Sequence, residues 1–264
     1  MDRISRSWDR LAEIDAKWII LTEPEKLGSW SDAEFYATGV ELIDTVLEKI
    51  RSLGLPVKRG RALDFGCGLG RLTKALAAHF DSVVGVDVSS KMVDTAKRVA
   101  PAPNIEYVAN AASDLCFVAD ASIDFVFSWI TLQHIRPRLI RSYLGEFARI
   151  AAGDGLIVFQ LFDRAPKLAA RLRYFLIRLA VAIAPIPLLR AIRRARYPGA
   201  REETVAALPR KMFEVHGLSP KDVRRTLMQA GAELVSQQVD ESHGTEWRSW
   251  MYVARKSSAS SKLT

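Results

Sequence analysis

The chain has 264 residues, 38 Lys and Arg against 30 Asp and Glu, a formal charge of +8, and 49% apolar residues. That balance excludes a disordered or fibrous chain and allows one large α/β domain or two small ones. Two cysteines, Cys67 and Cys116, exclude a disulfide framework and point to a reducing compartment. No Cys/His cluster has zinc spacing, and no uncharged apolar run reaches the ~18–20 residues needed to span a bilayer.

In chain order, residues 3–21 read as an amphipathic helix, with Ile4, Trp8, Leu11, Ile14 and Trp18 at helical spacing. The segment before Asp15 lacks the apolar core of a secretory leader, so a cytoplasmic protein is expected. Ser31 and Glu34 form a capping-box pattern, and 39–53 reads as a helix closed by Gly54 and Pro56. Short apolar runs then alternate with helical patterns. Strands are expected at 62–65, 83–88, 105–109, 125–129 and 156–162, and helices at 71–79, 91–99 and 137–151. That alternation implies right-handed βαβ units and a parallel sheet. A helix at 220–230 and two strands, 232–239 and 247–254, complete the pattern, and the Ser/Lys-rich tail 257–264 is expected to be disordered.

The charge is concentrated. Arg164 to Arg201 holds ten basic residues and no acid, so this stretch carries +10 and the rest of the chain −2. An apolar stripe from Leu168 to Ile183 fills its first half, and Arg190, Arg193, Arg194 and Arg196 cluster in the second. Interleaved apolar and arginine residues suit a lid that also touches a membrane surface. A solvated basic helix is the plainer alternative.

The strongest local signal is the run Leu63-Asp64-Phe65-Gly66-Cys67-Gly68-Leu69-Gly70, a strand entering glycines at every second position and then a helix. Glycine permits a tight turn and a close ligand approach. Asp87 stands at the end of the next strand, where a carboxylate can accept both hydrogen bonds of a ribose diol. A dinucleotide loop, Gly-x-Gly-x-x-Gly, would need glycine at 71, and Arg71 stands there. An acid at Asp64 suits a ligand with an ammonium group better than a pyrophosphate, which favours bare helix-terminal amides.

On these residues the chain resembles the class I S-adenosylmethionine-dependent methyltransferases, from about Gly60 to Phe162 and again at Glu233–Lys256. LDFGCGLGR is similar to that family's first motif, and VVGVDVSSKMVDTAKR to its second strand and following helix. NIEYVANAASDLCF and IDFVFSWITLQHI resemble its third- and fourth-strand segments. The resemblance implies a Rossmann-like α/β fold with a seven-stranded, mostly parallel sheet of order 3-2-1-4-5-7-6, the last strand antiparallel. It implies a core of residues 56–163 and 218–256, a helical N-terminal extension (1–55) and a helical insert (164–217) serving as lids. It also implies S-adenosyl-L-methionine as cofactor, held by Asp64, Gly66, Gly68, Gly70, Asp87, Met92, Asp114 and Ser128. Asp64 would order the loop or bind the ammonium, Asp87 would hold the ribose, and Met92 would cover the adenine unless it is a core residue. Two departures stand out: Ala111 replaces an acid common in the family, leaving Asp114 for the adenine edge, and Ala152-Gly153-Asp154-Gly155 replaces Pro-Gly-Gly.

A hydroxyl acceptor must lose a proton, so a base near the fourth strand is expected. His134 is the first candidate, with a loop-packing role before Pro137 as the alternative, and His216 and His243 are weaker. Cys67 has no evident partner base. The acceptor is expected to be a small molecule, a saccharide or a lipid-linked compound, with peripheral contact to the inner membrane face through 164–201. Rival readings are a nucleic-acid methyltransferase, which the confined basic charge disfavours, and a non-catalytic membrane-attached cofactor-binding module.

Overall fold

The computed structural model describes residues 2–164, 185–197, 199–207, 215–240 and 247–257. Its strands are β1 (Arg61–Phe65), β2 (Ser82–Asp87), β3 (Ile105–Ala109), β4 (Ile123–Ser128), β5 (Ala151–Phe162), β6 (Ala232–Asp240) and β7 (Ser249–Lys256). They form one sheet of order β3-β2-β1-β4-β5-β7-β6, as the resemblance implied. The ladders from β3 through β5 are parallel, while β7 runs antiparallel to both β5 and β6. The link from Asp240 to Ser249 is too short for a parallel crossover.

The described helices are α1 (Asp2–Ile20), α2 (Asp32–Ser52), α3 (Arg71–Leu76), α4 (Ser90–Val99), α5 (Pro137–Ile150), α6 (Ile186–Arg196), α7 (Glu202–Ala207) and α8 (Pro220–Gln229). Both sheet faces are covered. Tyr143, Leu144 and Phe147 of α5 and Leu227 of α8 pack with Leu63, Val126 and Ile157 on one face. On the other, Ile43, Leu47 and Ile50 of α2 and Leu72 and Leu76 of α3 pack with Ala62, Phe125, Phe127 and Val158. Side chains alternate across a strand, so a sheet buried on both faces requires the continuous apolar runs seen in the sequence. Each fully buried Phe here would cost ~3–5 kcal/mol if cut to Ala. Phe80, Phe125, Phe127 and Trp129 stack in series, with centroids 5.0, 6.0 and 5.7 Å apart, and carry this layer to the carboxyl end of β4.

Two helices depart from the sequence reading. The capping box at Ser31 and Glu34 forms, and α2 starts there at Asp32 rather than near residue 39. Gly39 lies inside that helix because α3 crosses it closely: a Cβ there would sit 2.5 Å from the Arg71 carbonyl oxygen. Helix α1 is broken at Asp15, which has φ −164° and ψ 96°. Its carboxylate accepts from the Trp18 N–H (3.1 Å) and the Gly28 N–H (2.6 Å), capping the second half of the helix and tying down the loop after it. The apolar stripe 168–183, His243 and the tail 258–264 lie outside the described residues. Among those that are described, no helix is long and apolar enough to cross a membrane.

Candidate active site

Chain leaving β1 turns through Gly66, Gly68 and Gly70 at φ +82°, +53° and +76°, a region where only glycine is at ease. The Gly66 and Cys67 N–H groups donate to the Val86 carbonyl at 2.7 and 3.0 Å, which presses the loop against the end of β2. A Cβ at Gly66 would overlap Thr131, whose hydroxyl donates to the carbonyl oxygens of Trp129 (3.1 Å) and Gly66 (3.4 Å). A Cβ at Gly70 would overlap the Tyr107 hydroxyl.

At the end of β2, Asp87 accepts from the Gly68 N–H (2.9 Å) with one carboxylate oxygen and from the Ser89 N–H (2.8 Å) with the other. A carboxylate offers about four lone-pair sites, so each oxygen keeps capacity for a further donor. Burial raises the Asp87 pKa above its ordinary value, opposed by those backbone N–H groups and reinforced by Asp9. Asp64 is buried more completely and accepts from the Thr73 hydroxyl at 2.7 Å. Burial pushes its carboxyl up to about 6, against the pull of Thr73 and Arg71.

Above this floor lies a cavity of about 1040 Å³, counting its open mouth. Gly66, Gly68, Asp87, Met92 and Asn110 line one part, and Trp129, Ile130, Thr131, His134 and Tyr143 another. Helix α1 roofs it with Trp8, Ile19 and Ile20, and the Ile20 side chain reaches to 2.8 Å from where a Gly68 Cβ would be. That helix is fastened across the site: Ser89 donates to Asp9 at 2.5 Å, and Lys91 pairs with Glu13. His134 meets the Trp8 ring edge-on at 5.3 Å, and its Nε2 lies 3.4 Å from the Gln133 amide nitrogen.

Of the eight cofactor candidates and His134, the residues Gly66, Gly68, Asp87, Met92 and His134 are thus brought to one cavity. Asp64, Gly70, Asp114 and Ser128 do not line it. Asp64 orders the loop through Thr73, and Gly70 caps α3. Ser128 donates to the Phe65 carbonyl at 3.0 Å, tying β4 to β1. Asp114 accepts from the Cys116 N–H at 3.3 Å, and it is Asn110 that faces the cavity. Asn110 is held by a 2.7 Å bond from its amide to the Asp114 carbonyl. Burial raises the Cys67 thiol pKa well above its ordinary value, which disfavours a nucleophilic role. His216 donates its backbone N–H to the Gln133 carbonyl at 2.8 Å but does not line the cavity.

Among the participants that sequence reasoning missed are Arg71, Ile130 and Gln160. Arg71, read only as an exclusion of the dinucleotide pattern, is 4% exposed on the cavity wall; its Nη1 donates to Thr38 at 3.1 Å and its Nε has no hydrogen-bond partner among the described residues. Burial lowers its pKa to about 10, partly restored by Asp64. Ile130 has φ +57°, a strained conformation for a β-branched residue. It is held by Gln160, whose oxygen accepts the Ile130 N–H at 3.2 Å and whose amide donates to Ser249 at 2.6 Å. Ser249 in turn donates to Asp240 at 2.8 Å. No local pattern marks Gln160; only the β5–β7 register brings it to Ser249.

Residues 62–155 match the sequence profile of a methyltransferase domain. An O-methyltransferase of Penicillium expansum is 28% identical over 146 residues, 53% of this chain and 52% of that protein. A ubiquinone biosynthesis O-methyltransferase of Rhizobium etli is 31% identical over 117 residues, 44% of this chain and 46% of that protein. The chain spans about half the length of the curated relatives it matches. Among solved structures, an S-adenosylmethionine-dependent methyltransferase of Mesorhizobium loti superposes with a TM-score of 0.53 at 17% identity, covering 79% of this chain and 96% of that one. The magnesium protoporphyrin IX methyltransferase of Synechocystis with bound S-adenosylhomocysteine gives 0.54 at 19% identity, covering 83% and 84%.

Proposed function

Because residues 62–155 match a methyltransferase domain and the fold is that of S-adenosylmethionine-dependent methyltransferases, we propose that the protein methylates a hydroxyl group on a small acceptor with an apolar body. The observation that carries this reading is Asp87, which stands on the cavity wall with both oxygens fixed by backbone N–H groups and lone pairs to spare.

The residues present fit the cofactor. Gly68 leaves the floor bare beside Asp87, which takes the ribose diol. Met92 and Val88 supply an apolar surface for the base, and Asn110 an amide at its edge. Arg71, on the cavity wall, supplies a positive charge for a carboxylate. When bound, S-adenosylmethionine supplies an activated methyl group on a sulfonium.

The protein's own task is then alignment, exclusion of water and removal of one proton. Aligning two reactants supplies several kcal/mol without any covalent chemistry. Trp8, Trp129, Ile130, Ile135 and Tyr143 form an apolar and aromatic wall that suits a hydrophobic acceptor, and α1 shuts the roof. His134, at the edge of that wall against Trp8, accepts the hydroxyl proton. The relatives named O-methyltransferases favour oxygen as acceptor atom. A nucleic-acid acceptor is disfavoured because Arg71 is the single Lys or Arg on the wall among the described residues.

Calorimetry with S-adenosylhomocysteine and NAD, on wild type and Asp87→Ala, tests the cofactor half. S-adenosylhomocysteine should bind, NAD should not, and Asp87→Ala should weaken binding by ~1–3 kcal/mol. Methyl transfer to a panel of phenols, saccharides and oligonucleotides tests the acceptor half. Transfer to oligonucleotides alone would overturn it, and cofactor binding with no transfer to any class would favour a non-catalytic module.

A further inference from the structure

We propose that helix α6 is an interfacial helix that docks the protein on an anionic lipid surface. At about 100° per residue, Leu188, Ala191, Ile192 and Ala195 share one arc roughly 100° wide. All four are exposed, Leu188 by 50% and Ile192 by 53%. Two large apolar side chains one turn apart, both half in water, form a ridge left uncovered among the described residues. Arg194 flanks this arc on one side and Arg196 on the other, and both are exposed. No acid occurs between Arg164 and Arg201, so nothing within the segment neutralises the ten positive charges.

An apolar arc between two basic flanks fits the boundary of a bilayer, where the arc enters the acyl region and the guanidinium groups meet lipid phosphates. It fits other partners less well. A phosphate backbone gains little from Leu188 and Ile192, and a second copy would bring an equal positive segment against this one.

The helix is also anchored to the cavity roof. Tyr197, directly after α6, meets Trp18 of α1 edge-on at 5.5 Å, with the Arg196 guanidinium 6.0 Å from its ring. Val205 of α7 packs in the same cluster as Leu11, Trp18, Ile19 and Leu27. A surface engaged by α6 therefore lies beside the element that covers the cavity, which gives an apolar acceptor dissolved in the bilayer a short route in.

The test is cosedimentation of the full chain with phosphatidylcholine vesicles and with vesicles that also contain phosphatidylglycerol, at low and high salt. Binding should require the anionic lipid and fade as salt rises. The double variant Arg194→Gln/Arg196→Gln should lose about thirtyfold in affinity, from ~1 kcal/mol per basic residue near the surface and 1.4 kcal/mol per tenfold. Leu188→Ser/Ile192→Ser should lose at least tenfold at low salt. Both variants should bind S-adenosylhomocysteine as wild type does, which separates a docking defect from a folding or cofactor defect. The proposal is overturned if wild type prefers neither vesicle, or if the serine variant binds as wild type does. It is also overturned if wild type binds duplex DNA as tightly as anionic vesicles and the serine changes leave both unaltered.

Discussion

Asp64→Asn is the sharpest probe of how the glycine loop is held. The Asp64 carboxyl is pushed up to about 6 from an ordinary 3.8, burial being the larger influence and Thr73 and Arg71 opposing it. The native state therefore holds this proton more tightly than the unfolded chain. The stability it contributes is fully present below about pH 4 and is lost as pH rises through 6. The gap corresponds to ~3 kcal/mol at 1.36 kcal/mol per pH unit. Attraction to Arg71 is already inside that balance, so at neutral pH the buried charge remains a net cost. Asparagine copies the protonated form and its oxygen still accepts from Thr73. Urea unfolding of both proteins between pH 4 and 7.5 should show near-equal stability at the acid end. The variant should lead by roughly 2–3 kcal/mol at pH 7. If Asp64→Asn is instead less stable than wild type at pH 7, the Arg71 attraction outweighs burial and the reasoning fails.

Other changes are graded by their surroundings. Gly66→Ala meets the pinned Thr131 and a φ of +82°, so it should cost ~2–4 kcal/mol in urea unfolding, whereas Gly68→Ala meets the flexible end of Ile20 and should cost about 1. His134→Gln should lower kcat by ~10²–10⁴ while leaving S-adenosylhomocysteine affinity intact by calorimetry, and parallel loss of both would mark a packing role. Gln160→Leu strands the Ile130 N–H and should destabilise by ~1–3 kcal/mol, with a rise in acceptor KM as the Ile130–His134 wall loosens.

What was legible in the sequence is what local physics encodes. The Ser31–Glu34 box and the glycine loop each fix a local conformation and are found as read, and the Asp87 carboxylate stands at the end of β2 against that loop. The topology followed from strand–helix alternation, the family resemblance and one hairpin-length link. Most of the misses depend on partners distant in the chain. Asp15 reads as the polar face of a helix, and Gly28 helps make it a cap. Residue 39 reads as the start of a helix, but that helix begins at Asp32 and Gly39 lies inside it where Arg71 crosses. Asp114 and Asn110 lie four residues apart on one loop, and the loop's path decides which faces the cavity.

The placement of β7 bears on how the molecule is made. Among the described residues strand β6 pairs only with β7, and β7 fills the slot beside β5, joining residues near 156 to residues near 255. A nascent chain that has emerged only to residue 240 therefore carries β6 without its neighbour. In that chain β5, whose Ile157, Phe159 and Leu161 are fully buried in the finished protein, has one edge open. Such long-range pairing is slow to form, and an open apolar edge invites pairing with other chains. Synthesis thus passes through a window in which most of the cavity floor can assemble while the sheet is still incomplete, and a holdase acting on this protein would have its target there.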